Sequence, residues 1–166
     1  MPRQTEFGGT ALSNEDFKTF FHTQGSPNAR YAWDCGVGIG KYLDGLKEGK
    51  LVGTRCDKCR RTVIPPRVHC EWCFRPMDAW VDLADTGRIN TFSISHVSWD
   101  VVRLEKPQIP AVIEIDGASP GMGILHLVDE VDPQAVRIGM KVRAVWKPPA
   151  EREGAITDIR YFKPVG

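Results

Sequence analysis

Cys56 and Cys59 are separated by two residues, as are Cys70 and Cys73, with ten residues between the pairs. Two-residue spacing lets one tight turn aim two sulfurs at a single ion, and four thiolates complete the closed tetrahedral shell of structural zinc. A catalytic zinc needs an open position, which this donor set does not leave. Iron in a rubredoxin-like site takes the same four ligands, so ligand softness does not separate the two metals; zinc is the expected ion. His69 adjoins Cys70 but is not required as a ligand, and it reads as a supporting or surface residue. Arg55, Lys58, Arg60, Arg61 and Arg67 surround the cysteines. Their charge offsets the double negative charge of a metal tetrathiolate and lowers thiol pKa values, and the same cations suit phosphate.

Nothing else in the chain has the pattern of a reactive centre. Cys35 stands beside Asp34 and a glycine-rich run, with no neighbouring histidine, and reads as a buried or interfacial thiol. His22, His69, His96 and His126 fall in unrelated contexts, and His126, on an apolar strand, is expected to be packed or hydrogen-bonded. The chain is therefore not expected to be catalytic on its own. The segment from His96 to Gln108 reads as a long loop between two strands, the kind of segment that carries function. In it Trp99 offers a stacking face and Arg103 and Lys106 offer partners for phosphate or carboxylate, with His96 at its start.

Around these residues the elements follow from periodicity. Ser13 to His22 carries a cap residue, early acids and an aromatic face at Phe17, Phe20 and Phe21, which predicts a short amphipathic helix. Gly25-Ser-Pro27 ends it, and a second helix is expected from about Gly40 to Gly49 on Tyr42, Leu43 and Leu46. Between them Gly36-Val-Gly-Ile-Gly40 superficially resembles a phosphate loop, but no strand precedes it and no Lys-Ser/Thr follows, so it reads as a flexible connector. Such short helices are marginal alone. Residues 1–50 therefore form an arm that packs on a body or a partner, with Phe17, Phe20, Phe21, Tyr31 and Trp33 as candidate anchors. Residues 51–76 form the ribbon, and residues 77–166 hold five strands near residues 89–95, 111–115, 122–128, 141–146 and 155–162. Five short strands joined by Gly and Pro turns predict a small closed barrel of OB or Greek-key type. Trp72, Trp80 and Trp146 are expected in the packing of ribbon and barrel.

Composition narrows the class further. A chain of 166 residues with 42% hydrophobic and 26% charged residues can bury one or two small cores. Its 22 Lys and Arg against 21 Asp and Glu leave a net charge of +1, without the field that draws in a polyanion. No run approaches the ~18 apolar residues of a membrane span, and Met1 to Asn14 lacks the apolar centre of a signal peptide. A soluble cytoplasmic protein is expected.

The order of ribbon, barrel and leading arm resembles the thiolase-associated zinc-ribbon and OB-fold proteins, catalogued as domain of unknown function 35. The carriers are Gly53-Thr-Arg-Cys56-Asp-Lys-Cys59, Pro65-Pro66-Arg67, Cys70-Glu-Trp-Cys73, Gly87-Arg-Ile-Asn-Thr-Phe-Ser-Ile94, Ile109-Pro-Ala-Val112, Ile138-Gly-Met-Lys-Val142 and Ile159-Arg-Tyr-Phe-Lys-Pro164. The resemblance runs from about Gly40 to the C-terminus. It implies a mainly β protein with an N-terminal helical arm, a rubredoxin-like four-cysteine zinc ribbon and a five-stranded OB barrel. It also implies one structural zinc per chain and a hetero-oligomer with a thiolase that acts on a β-oxoacyl-CoA. In that complex the barrel would help bind the CoA thioester and the arm would contact the partner.

One other class uses the same parts. Zinc ribbons and OB barrels also bind single-stranded nucleic acid, with aromatics stacking the bases. Against it stand the near-zero charge and the acids among the strands, Glu114, Asp116, Asp129, Glu130 and Asp132. An iron electron carrier would be coloured and reversibly reducible.

Overall fold

The computed structural model describes residues 11–23, 34–98 and 100–165, with the backbone alone at residues 21–23. It divides into two compact units between Asp34 and Cys35, so the segment expected as one arm of residues 1–50 falls partly in each.

The first unit holds helix α1, Asn14–Thr23. Ser13 Oγ accepts the Asp16 backbone N–H at 3.0 Å and donates to the Asp16 carboxylate at 2.6 Å, satisfying a donor that the helix start leaves open. Glu15 and Asp16 in the first turn favour the positive end of the helix dipole.

The second unit begins with helix α2, Gly36–Glu48. The run expected as a flexible connector, Gly36 to Gly40, is therefore the start of this helix. Packing overrides the poor helix propensity of glycine, because Tyr42 and Leu46 are buried and Gly38 lies against the Pro66 carbonyl. The helix ends at Gly49, whose φ of 78° lets its N–H reach the Leu46 carbonyl at 2.9 Å. A three-stranded sheet of order β2-β1-β3 follows, from β1 (Leu51–Cys56), β2 (Arg61–Val63) and β3 (Ala79–Leu83).

The barrel strands are β4 (Thr86–Phe92), β6 (Arg103–Ile115), β7 (Gly123–Val128), β8 (Lys141–Trp146) and β9 (Ile159–Pro164). They pair in the order β4-β8-β9-β7-β6, and a β4–β6 pairing closes the ring. Counted along the chain, the barrel runs first-second-third-fifth-fourth-first, with the β7–β9 pair parallel and the others antiparallel, which is OB topology. Ile109, Ala111, Ile113 and Ile115 alternate inward along β6 and meet Ile89, Ile124, Val128, Val142, Ala144 and Phe162. Each large side chain buried there contributes about 1.5–3 kcal/mol.

The alternation of β6 starts only at Ile109, because residues 103–108 run beyond the barrel and pair with β5 (Ser95–Val97). The long loop expected from His96 to Gln108 is thus a projecting β-hairpin. Apolar and polar residues alternate in it, but no residue there is fully buried, and Leu104 and Pro107 are only half-buried. Ribbon and barrel are tied by Ser119, in the β6–β7 turn, which exchanges hydrogen bonds with Thr62 of β2. No described helix is long and apolar enough to cross a membrane.

The segment between β8 and β9 is organised by Asp158, which is fully buried. Burial pushes its pKa up, but the N–H groups of Glu153, Ala155 and Gly154 and the charge of Lys147 outweigh it, and the net shift is downward. A lowered native pKa contributes stability above the unfolded value, near 3.9, and that stability is lost as pH falls through the native value. Asp158→Asn should cost on the order of 2 kcal/mol at pH 7 in denaturant melts, and the gap from wild type should shrink below about pH 4.

Helix α2 packs on β1 through Gly45, where an added Cβ would lie 2.5 Å from Val52 Cγ2, whereas one at Gly40 meets nothing within 4 Å. Gly45→Ala should therefore destabilise by about 1–3 kcal/mol, while Gly40→Ala should stabilise by up to about 1 kcal/mol; paired chemical denaturation curves check both signs.

Candidate functional site

The four cysteines come from two turns built alike. Cys56 closes β1 opposite Arg61 in the β1–β2 register, and Cys59 lies in the turn between them. The second turn is pinched by the His69–Pro76 bridge and by bonds from Cys70 N to Arg75 O and from Phe74 N to Cys70 O. In both, the residue after the second cysteine is left-handed: Arg60 at φ 52° and Phe74 at φ 57°. Asp78 Oδ2 accepts the Asp57 N–H at 2.7 Å, and Thr54 Oγ1 exchanges bonds with the Arg67 backbone, which fixes both turns to the sheet.

All four Sγ atoms lie within 4.8 Å of one another. Cys56 and Cys73 are 3.6 Å apart, too far for a disulfide and close to the ~3.8 Å edge of a tetrahedron with metal–sulfur bonds of ~2.3 Å. Cys56 and Cys70 are buried and Cys59 and Cys73 half-buried. The donor set therefore fits a structural four-thiolate ion, and Cys56, Cys59, Cys70 and Cys73 would hold it. The Trp72 backbone N–H, ahead of burial, governs Cys70, whose pKa is lowered to about 7. Hydrogen bonding with Cys73, then burial, pushes Cys59 up to about 12 without an ion. The environment thus pulls these thiols in opposite directions, and a bound cation would favour the thiolate of all four. His69 is exposed and outside the cluster.

The surrounding cations are largely committed. Arg61, 11% exposed, donates to Glu71 at 2.6 Å and lies 4.2 Å over the Trp72 ring, and Arg67 stands 3.6 Å from the same carboxylate. Burial raises the Glu71 pKa, but its own backbone N–H and the two arginines bring it net below its ordinary value. Arg55 pairs with Asp57. Trp72 and Trp80 are not in the packing as expected: they are exposed, because each sits on a side of the ribbon that no described element covers. Only Trp146 packs against the core.

The other expected site residues are dispersed along the hairpin. His96 on β5 and Arg103 at the start of β6 are exposed, and Arg103 faces Val97 across the hairpin. Lys106 pairs with Asp129 at 2.5 Å, which lowers the Asp129 pKa, beside a cavity of about 330 Å³ that Gln108, Arg160 and Tyr161 also line. Trp99, Tyr31 and Trp33 lie outside the described residues, as does the Phe21 side chain, while Phe17 and Phe20 lie exposed on α1. His126 packs edge-on against Phe162, with Nε2 3.2 Å from the Ile156 carbonyl oxygen. Beside it Leu125, Leu127, Ile156 and Pro110 line an open apolar groove of about 560 Å³, which the sequence pattern signalled only through outward leucines on β7.

Fold and cluster together define a zinc-ribbon protein with an OB barrel. Residues 43–78 match the rubredoxin-like zinc ribbon domain of ChsH2, and residues 80–147 match the ChsH2 C-terminal OB-fold domain. A DUF35 domain-containing scaffold protein of Methanocaldococcus jannaschii is 31% identical over 69% of this chain and 82% of its own length. Another, from Methanothermobacter thermautotrophicus, is 26% identical over 69% and 86%. Among solved structures, a DUF35 protein of unknown function from Sulfolobus solfataricus has a TM-score of 0.56 at 25% identity, covering 66% of this chain and 78% of its own. An Ltp2–ChsH2(DUF35) aldolase has a TM-score of 0.58 at 23% identity, covering 81% and 98%. The chain belongs to the DUF35 family of scaffold proteins.

Elemental analysis of the purified chain should find one zinc per chain in a colourless protein. Cys59→Ala or Cys70→Ala should lose the metal together with a large share of the ~5–15 kcal/mol stability of a small domain. Full metal occupancy in either variant, or the visible absorption of iron, would contradict the assignment.

Proposed function

We propose that this protein is a non-catalytic accessory subunit of a thiolase complex that acts on a β-oxoacyl-CoA, stabilising that complex and helping to bind the CoA thioester. The observation that carries the reading is the tandem of ribbon and barrel in the order of the two ChsH2 domains. A ChsH2 also occurs with Ltp2 in an aldolase that this fold resembles over most of its length. On this reading Cys56, Cys59, Cys70 and Cys73 hold one structural zinc, which supplies a cross-link and no chemistry. His96, Arg103 and Lys106 of the hairpin, together with Trp99, are the groups offered to the CoA thioester, and Phe17, Phe20, Phe21, Tyr31 and Trp33 are the arm residues offered to the catalytic subunit.

Carbon–carbon cleavage then belongs to the partner, whose own cysteine and histidine perform the thiolysis. One acyl group that fits the resemblance is benzoylsuccinyl, since the chain resembles the zinc-finger subunit of the thiolase that ends anaerobic toluene breakdown. A dicarboxylic acyl group of that kind would suit the cations of the hairpin.

Tagged protein drawn from its native host in moderate salt should bring down a stoichiometric thiolase-type chain. The isolated protein should cleave no β-oxoacyl-CoA, and the pair should. Recovery of nucleic acid with salt-sensitive oligonucleotide binding, and no such chain, would replace the proposal with the single-stranded nucleic-acid reading.

A further inference from the structure

We infer that the tip of the second cysteine turn is a docking surface that inserts Trp72 and Phe74 into an apolar pocket with an acidic rim on the catalytic subunit; the inference rests on the accessory-subunit reading. Phe74 is 82% exposed and Trp72 63% exposed. The Phe74 backbone is left-handed at φ 57°, a conformation that glycine adopts freely and that strains a bulky residue. A phenylalanine here thus carries two costs in the free chain, strain and exposure of a large apolar ring, and neither is offset by any packing among the described residues. Both are offset at once if the ring is buried in another molecule.

Trp72 is held ready for the same purpose. The Arg61 guanidinium lies 4.2 Å over its ring, and Arg61 is itself fixed by Glu71. The ring is therefore pre-oriented while one side stays open to solvent, and little side-chain freedom remains to be lost on binding. Charge identifies the occupant. Arg55, Arg61 and Arg67 are paired with carboxylates, whereas Lys58, Arg60 and Arg75 are exposed and make no ion pair among the described residues. Lys58 and Arg60 lie in the first cysteine turn, which the sulfur cluster brings together with the second, and Arg75 directly follows Phe74, so the complementary surface is acidic around an apolar centre. Three open cations on a chain of net charge +1 favour a protein face over a polyanion.

The test uses the full chain and the purified catalytic subunit identified by co-purification. Phe74→Gly removes the ring and relieves the strain, so it should keep its zinc and melt at or above the wild-type temperature. It should bind the catalytic subunit at least tenfold more weakly by calorimetry. Trp72→Ala should weaken binding similarly, and the triple change of Lys58, Arg60 and Arg75 to Glu should slow association and reverse its salt dependence. Unchanged affinity of Phe74→Gly for a subunit that wild type binds would overturn this inference and leave the accessory reading standing. Loss of oligonucleotide binding instead of protein binding would overturn it in favour of a base-stacking surface. A wild-type chain that captures no thiolase-type subunit would overturn both.

Discussion

Four sulfurs brought within 4.8 Å are the constraint on which the rest of the ribbon depends. Between Cys56 and Cys73 the buried apolar residues are few, Val63, Ile64 and Pro66 besides the cysteines themselves, so hydrophobic burial cannot hold two turns with left-handed residues in place. The cross-link does what a core does elsewhere. Structural zinc in small finger peptides contributes roughly 10–16 kcal/mol, comparable to the whole stability of a domain. A bound ion would help hold the left-handed turn residues Arg60 and Phe74 in place.

From the cluster the constraint passes along β1. That strand ends at Cys56, pairs with β2 and β3 on its two sides, and receives α2 at Val52 against Gly45. Through β2 and the Thr62–Ser119 bonds the ribbon is joined to the β6–β7 turn. The barrel closes by backbone approach that leaves no room for a side chain: a Cβ at Gly87 would lie 2.2 Å from the Glu114 carbonyl oxygen, and one at Gly123 equally close to that of Ile113. Ribbon, α2 and barrel thus form one fixed body, and a fixed body is what any scaffold needs if it is to present surfaces at set positions.

Much of this was legible in the sequence wherever a residue type has one physical use. Paired cysteines at two-residue spacing announced the cluster, and period-two alternation announced β4 from Ile89 and the Ala111–Ile115 part of β6. The start of α2 was hidden because glycine is a poor helix former, and what decides Gly38 and Gly45 is close packing against Pro66 and Val52, distant from local propensity. The hairpin of β5 and early β6 was read as a loop although apolar and polar residues do alternate there, because charged residues and Pro107 interrupt the pattern and none of its residues is fully buried. Trp72 and Trp80 misled for a third reason: tryptophan usually signals a core, and only the folded ribbon shows that no described element covers them.

Charge shows the same dependence on placement. A net charge of +1 says little about where cations are free. Glu71 pairs with both Arg61 and Arg67 in the ribbon, and Asp129 makes a solvent-exposed pair with Lys106 of the hairpin. A metal tetrathiolate adds two negative charges at the ribbon, so its cations serve first to balance the cluster. What is left over, Lys58, Arg60 and Arg75, lies exposed in the two cysteine turns, with Arg75 next to the exposed Phe74 ring. An apolar centre with a thin charged rim is the anatomy of a protein interface, whereas a phosphate-tracking groove needs a continuous line of unpaired cations. In the ribbon Arg61 therefore joins two features, since the guanidinium that pairs with Glu71 also orients the Trp72 ring.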